Sequence, residues 1–326
     1  MSKLEQSWYR GISFLTVLLL PLSGLFWFIS NLRKLAYALG LLKAYQSPVP
    51  VIVVGNISVG GNGKTPFVIW LANYLKQRGL RVGIISRGYG GNSDSYPLTV
   101  TEHTDTTQAG DEPVLIQRRL DCPVVVGPDR QANIKQLIAQ HQLDVIISDD
   151  GMQHYKMART IECCIVDSQR RFGNGLLMPA GPLRETQKRL KSVDLVIENG
   201  GNAMFNYQLR SADLVSVATN IATKVPLLRG HAVSAIGNPQ RFENSLRQQG
   251  ITLLSCHHFR DHYGYTAQDF IKFNDEIVFM TEKDAVKCHS FAKPTWYFLP
   301  VDAEPSPAVV SKLNLLLREK GILDGL

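Results

Sequence analysis

The chain has 326 residues, of which 44% are apolar and 19% charged, and its 35 Lys and Arg against 28 Asp and Glu give a formal net charge of +7. That length holds one large domain or two moderate ones, and the composition excludes disorder over most of the chain. The basic excess favours anionic partners, but the Lys and Arg residues are scattered with no long tract or basic-aromatic stripe, so no nucleic-acid partner is expected.

The first notable segment is residues 11–29, which are 19 residues without a charge, about the length of one bilayer span. Lys3 and Arg10 precede it and Arg33, Lys34 and Lys43 follow, so flanking charge does not choose an orientation. Pro21, Ser23 and Gly24 weaken the middle of a straight span, and no small-residue cleavage site marks a removable signal. A buried core helix is the plain alternative. The expectation is a membrane-associated helical segment over 1–46 that inserts in, or crosses, the inner leaflet.

After Tyr45-Gln46-Ser47-Pro48 the texture changes. Short apolar runs at 50–54, 82–86, 123–126, 145–148, 163–166 and 193–197 alternate with helix-like segments such as 65–78, 113–120 and 131–140. Strands alternating with helices predict a parallel sheet covered on both faces. A breaker cluster, Gly200-Gly201-Asn202, loosens the pattern. A second α/β unit follows, with strands at 233–236, 252–255, 277–280 and 296–299 and helices at 241–249 and 266–273. The segment 307–320 reads as a last helix. The expected organisation is a core domain over 47–225, a smaller C-terminal α/β domain over 226–305, and a C-terminal helix over 306–326. Five cysteines at 122, 163, 164, 256 and 288 form no CxxC pair, which points to reduced thiols in the cytoplasm.

The strongest chemical signal is Ser58-Val59-Gly60-Gly61-Asn62-Gly63-Lys64-Thr65, between a predicted strand and a predicted helix. That is the context of a phosphate-binding P-loop. Glycines let backbone N–H groups curl round phosphate oxygens, and the helix N-terminus adds partial positive charge. Lys64 is placed to reach the β- and γ-phosphates of ATP, and the Thr65 hydroxyl to bind Mg²⁺. Ser58 stands where the first glycine of the usual pattern belongs, and Pro66 is tolerated in the first helical turn. The bland alternative is a glycine-rich turn with no ligand. Downstream, Asp144-Val145-Ile146-Ile147-Ser148-Asp149-Asp150 reads as a strand ending in twin carboxylates. These are the expected second metal anchor at the carboxyl edge of the sheet, although aspartates also serve as turn and cap residues.

Further residues are less specific. Asp111-Glu112-Pro113 reads on its own as a helix N-cap with Pro in the first turn. Arg87, Arg170, Arg171, Arg184 and Arg189 follow predicted strands, where a parallel sheet would gather them at the ligand edge; arginines there suit phosphate recognition, and solvated loop charge is the alternative. In Cys256-His257-His258-Phe259-Arg260-Asp261-His262, His258 and His262 would share a helical face, but no second ligand pair supports a metal site. Thr281-Glu282-Lys283-Asp284 resembles faintly the guanine-reading loop of GTPases without its Asn, and is read as structural or as a nucleotide-side contact.

Several of these segments together resemble the tetraacyldisaccharide 4′-kinase family, the lipid A 4′-kinases. They are residues 54–66 with the phosphate loop and its Ser58, Ser86-Arg87-Gly88-Tyr89-Gly90, Gly110-Asp111-Glu112-Pro113 and Asp149-Asp150-Gly151-Met152-Gln153-His154. Further along come Pro179-Ala180-Gly181-Pro182-Leu183-Arg184-Glu185, Asp261-His262-Tyr263 and residues 281–287. The resemblance implies a P-loop NTPase-like α/β core with a mostly parallel sheet, a smaller C-terminal α/β domain, and the site between them. It implies transfer of the ATP γ-phosphate to the 4′-hydroxyl of a tetraacyldisaccharide 1-phosphate, giving lipid IVA, at the cytoplasmic face of the inner membrane. The implied partners are that acylated disaccharide phosphate and the membrane surface. It implies that Asp111, paired with His262 across the cleft, Lys64 and Arg184 are catalytic. Residues 58–65 would then bind the nucleotide, with Thr65, Asp149 and Asp150 on the metal. The competing reading is a membrane-surface P-loop ATPase acting as a switch or scaffold, which needs no sugar-lipid acceptor.

Overall fold

The computed structural model describes residues 3–223 and 229–323. Its strands, in chain order, are β1 (Val51–Gly55), β2 (Val82–Ser86), β3 (Leu98–Val100), β4 (Val124–Val126), β5 (Val145–Asp149), β6 (Ile161–Asp167) and β7 (Leu195–Asn199). They continue as β8 (Asn206–Ser211), β9 (Val215–Ser216), β10 (Arg229–Ser234), β11 (Thr252–His258), β12 (Val278–Thr281), β13 (Trp296–Leu299) and β14 (Val301–Pro305). The helices are α1 (Lys3–Ser7), α2 (Phe14–Ala38), α3 (Lys64–Lys76), α4 (Thr106–Ala109), α5 (Asp111–Arg119), α6 (Arg130–Gln140), α7 (Pro239–Gln248), α8 (Glu282–Cys288) and α9 (Pro307–Glu319).

Among the described residues there are two sheets. The larger runs β14-β8-β7-β6-β1-β5-β2-β4-β3, and the smaller β11-β10-β12-β13-β9. The large sheet is parallel from β8 to β4, with antiparallel edges at β14 and β3. Its central strands are fully buried, and this is why β1, β2, β5 and β6 read as unbroken apolar runs rather than alternating ones. Apolar layers cover both faces. Phe67, Leu71 and Leu75 of α3 pack on one side and Ile134 and Leu137 of α6 on the other. Strand β1 lies between β5 and β6, so chain leaving its carboxyl end enters the crevice where ligands bind in such sheets.

The predicted strands of the core and of the second unit are present. The expected boundary at 225/226 lies outside the described residues. Elsewhere the sheets divide the chain differently from the expectation. Val215–Ser216, placed in the core by its position, pairs with β13 of the small sheet. The chain after β13 returns, and β14 pairs antiparallel with β8 of the large sheet. Segment 266–273 is a 3₁₀ turn with a capping box rather than an α-helix. Cys256–His258 belongs to β11, so His258 and His262 share no helical face.

At the N-terminus, α2 runs unbroken through Pro21 to Ala38. Thr16, Leu19, Ser23, Phe26, Ser30 and Tyr37 form its less exposed stripe, at helical i, i+3/i+4 spacing. Ser23 Oγ donates to Leu177 O at 2.9 Å and accepts from Ala180 N at 3.0 Å, while Trp8 Nε1 donates to Pro179 O at 3.0 Å. The other faces carry Phe14, Leu18, Leu22, Leu25, Phe28 and Ile29, all exposed.

One buried ion network props up the sheet beneath the site. Glu162 on β6 pairs with Arg159 at 2.8 Å and also with Arg189. Removing one partner of a buried pair leaves uncompensated charge, at about 3–5 kcal/mol. Glu162→Ala is therefore expected to lose about 3 kcal/mol of stability, measured by urea denaturation; an unchanged midpoint would contradict this.

Candidate active site

The phosphate loop follows directly from β1. Gly63, the residue before α3, has φ +80°, in the left-handed region that favours glycine. Space is short there as well: a Cβ on Gly63 would sit 2.2 Å from Asn199 Nδ2 and 2.8 Å from the Tyr207 hydroxyl. Those two groups clamp the loop backbone, Asn199 donating to Asn62 O at 3.0 Å and Tyr207 to Gly63 O at 2.6 Å. Asn62 donates to Ser58 Oγ at 2.9 Å across the loop. Val59 N donates to Pro182 O at 2.8 Å, and Arg184 N donates to Ile57 O at 2.7 Å, so segment 182–184 straps the loop from the side. Lys64 and Thr65 open α3.

The twin aspartates stand at the end of the neighbouring strand β5 and differ sharply. Asp150 has φ +48°, a conformation that Asp tolerates. Its carboxylate meets Lys64 Nζ at 3.4 Å and Arg184 Nη1 at 3.0 Å. Burial opposes its ionisation, but Lys64 and Arg184 outweigh burial and hold it well below the usual carboxylate range. Asp149 is fully enclosed. Burial first, then the Glu112 charge, push it up to about 7, against the pull of Lys64. Ser86 donates to Asp149 Oδ2 at 3.2 Å, while Asp149 Oδ1 is buried without a hydrogen-bond partner. A buried carboxylate oxygen with no donor, beside a second carboxylate and a threonine-headed helix, is an all-oxygen donor set that suits a hard cation such as Mg²⁺.

On the other flank, Asp111 begins α5 and is 4% exposed. It accepts from Glu112 N at 2.9 Å, within the first turn and not as a cap, and it also meets a residue that follows a strand of the small sheet. His262 Nδ1 lies 3.0 and 3.1 Å from its two carboxylate oxygens. The capping reading of Asp111 thus fails, since Gly110 is the N-cap and no side chain caps α5, while the pairing with His262 is present. Burial favours neutral Asp111, but the His262 bond and the Lys283 and Lys287 charges keep it below the ordinary value. Burial likewise disfavours the imidazolium of His262, and the bond to Asp111 overcomes that and raises it. Gly110 holds this flank close: a Cβ there would lie 2.4 Å from Tyr89 O. The Tyr89 ring stands edge-on to His262 with centroids 5.0 Å apart.

The arginines expected at the ligand edge separate. Arg184 reaches Asp150, whereas Arg189 turns inward to Glu162 and Glu185. Arg170 donates to Gly237 O in the loop between β10 and α7, and Arg87 is exposed. Sequence reasoning missed Arg130, which is 2% exposed and donates to Asp149 O at 2.9 Å. It also missed Asn199 and Tyr207. The only signal for Arg130 was its place at the start of a helix after Gly127-Pro128-Asp129.

With this geometry in place, the comparisons with known proteins are decisive. The family described as tetraacyldisaccharide-1-P 4′-kinase matches residues 15–318. The chain belongs to the tetraacyldisaccharide-1-P 4′-kinase family. A tetraacyldisaccharide 4′-kinase of Pseudoalteromonas translucida is 66% identical over 326 residues, covering 100% of both chains. One from Mannheimia succiniciproducens is 50% identical, covering 91% of this chain and 93% of the relative. Among family structures, crystalline LpxK from Aquifex aeolicus, solved in complex with ATP, is 31% identical with a TM-score of 0.79, covering 94% of this chain and 99% of that one.

The Asp111–His262 bond has a pH signature. Raising the folded pKa of His262 makes its contribution to stability complete below about pH 6.5, the value of a free imidazole, and lost as pH rises through the folded value. The contribution of Asp111, whose pKa is lowered, is complete above about pH 4 and lost as pH falls through its folded value. His262→Gln is thus expected to destabilise the protein more at pH 6 than at pH 8.5, read from urea midpoints. Equal destabilisation at the two pH values would contradict the bond.

Proposed function

We propose that this chain is an ATP-dependent kinase that transfers the γ-phosphate of ATP to the 4′-hydroxyl of a tetraacyldisaccharide 1-phosphate, giving lipid IVA. The observation that carries the reading is the buried Asp111 carboxylate, held by His262, with its neighbour Glu112 close enough to act on Asp149 beside the Asp150–Lys64 pair of the phosphate loop. In this reading residues 58–65 cradle the triphosphate with backbone N–H groups, and Lys64 neutralises the β- and γ-oxygens. Thr65, Asp149 and Asp150 would hold Mg²⁺, which would supply neutralisation of the phosphate charge. Asp111 takes the proton of the 4′-hydroxyl as its oxygen attacks the γ-phosphorus and the bond to the β,γ-bridging oxygen breaks. His262 orients that carboxylate. Arg184, freed from part of its hold on Asp150, stabilises charge on the transferring group.

The lipid acceptor needs a membrane-side approach, and α2 supports one. Its docked stripe binds the loop at Leu177 and Ala180 while its remaining apolar faces stand open. A helix tied to the protein through Ser23 on its less exposed stripe suits insertion into the cytoplasmic leaflet of the inner membrane better than a free crossing. The switch-ATPase alternative leaves the Asp111–His262 pair without a task.

With radiolabelled ATP and the disaccharide lipid, label is expected in the lipid, and ATP consumption is expected to require the acceptor. Lys64→Ala should lower transfer by about 100-fold or more with its melting curve intact. ATP consumption indifferent to the acceptor, or near wild-type turnover in Lys64→Ala, would sink the reading. Replacing the exposed Leu18, Leu25 and Phe28 with Asp spares the docked stripe. That variant is expected to partition to vesicles at least about tenfold more weakly in flotation, because each buried apolar side chain contributes about 1.5–3 kcal/mol. Unchanged partitioning would contradict the anchor.

A further inference from the structure

The segment Thr281-Glu282-Lys283-Asp284 lies outside the mechanism above, yet the structure gives each of its residues a task. Thr281 caps α8, its hydroxyl accepting from Asp284 N at 3.2 Å. Asp284, fully buried, accepts from Ala235 N at 3.0 Å and so staples the helix to the loop after β10. Glu282 pairs with Arg119 of α5 at 2.7 Å across the two domains. These three contacts fix the helix start, and Lys283 is aimed by them into the Asp111 flank. Its ammonium lies 3.1 Å from Glu112, 3.4 Å from Asp261, 3.4 Å from His262 Nε2 and 3.9 Å from Asp111 Oδ2.

We propose that Lys283 is a positioning residue for phosphate transfer, holding Asp111 as a carboxylate and directing the proton of the neutral form of His262 to Nδ1, toward that carboxylate. An ammonium group donates and never accepts. The nitrogen of His262 that faces it must therefore present a lone pair, which leaves the proton on Nδ1, on the Asp111 side. An imidazolium would face Lys283 donor to donor. The same positive charge favours the ionised form of Asp111. The groups that face this carboxylate are His262 and Asp261 from the turn after β11, Lys283 and Lys287 from α8, and Glu112 on α5 itself. Lys287 also lies 3.9 Å from Asp111 Oδ2, but it is bound at 2.8 Å to Asp284, and Lys283 alone touches the imidazole. The base would then be set, in charge and in direction, before the acceptor arrives.

The inference rests on the reading of Asp111 as the base, and the experiment separates the two. The pH profile of kcat/KM is measured for the full-length enzyme with MgATP and detergent-dispersed tetraacyldisaccharide 1-phosphate. Lys283→Met keeps the stem and removes the charge. Losing it raises the proton affinity of Asp111 and of His262 alike, so the acid limb is expected to move up by about one pH unit. Activity near that limb then falls about tenfold and recovers at higher pH, with KM for ATP unchanged. Lys283→Arg should bring the limb most of the way back. A Lys283 that only clamps the domains would lower the rate by one factor at every pH without moving the limb, and that result overturns the proposal. If Lys283→Met fails to fold, ¹⁵N-histidine NMR of the wild-type protein decides: a neutral His262 protonated at Nδ1 supports the proposal, and one protonated at Nε2 overturns it. Full activity in Asp111→Asn would instead remove the base reading itself. Inactive Asp111→Asn together with an unmoved limb in Lys283→Met removes only the role of Lys283.

Discussion

A carboxylate with 4% of its surface exposed needs a partner, and Asp111 finds its partner 151 residues away in sequence. Left alone, a buried carboxylate would take up a proton and cease to be a base. His262 and the two lysines of α8 prevent that, and all three come from the domain of the small sheet. The ionised state of Asp111 therefore depends on α5 staying seated against α8 and the turn that carries His262. The Arg119–Glu282 pair seats α5 against α8.

The phosphate loop depends on a second chain of contacts, running from the N-terminus inward. Ser23 and Trp8 bind the loop at 177–180, segment 182–184 straps residues 57–59, and Arg184 in that segment grips Asp150. Consecutive hydrogen bonds thus join the apolar helix to the phosphate site. Beneath them Glu162, Arg159 and Arg189 fill the gap with paired charge, and the Tyr155 hydroxyl binds Glu185, next in sequence to Arg184.

Much of the large sheet was legible because its strands are buried on both faces and its helices are local. The phosphate loop was legible for a related reason, since strand, turn and helix N-terminus are contiguous in the chain. The edge strands β3, β9 and β14, and β8 beside β14, were not. They are short, part-exposed and paired with distant segments, so they carry little periodicity of their own. The return of β14 to the large sheet reflects a pairing with β8 some 90 residues earlier, which no local pattern encodes. Arg189 looked like Arg184 in sequence, and only the buried Glu162 turns it inward. Likewise the pairing of Asp111 with His262 came from family resemblance. The residues alone offered a helix cap and a histidine in the segment 256–262.

The central claim is that Asp111 and His262 act as one unit across the cleft. It is tested most directly by kcat for Asp111→Ala, His262→Ala and the double variant, with thermal melts confirming that each is folded. General-base help is worth about 10²–10⁴-fold, so Asp111→Ala should lose at least that order. Because residues that work as a unit are non-additive, the double variant should lose little more than Asp111→Ala alone. A double variant whose loss is the product of the two single losses would contradict the account.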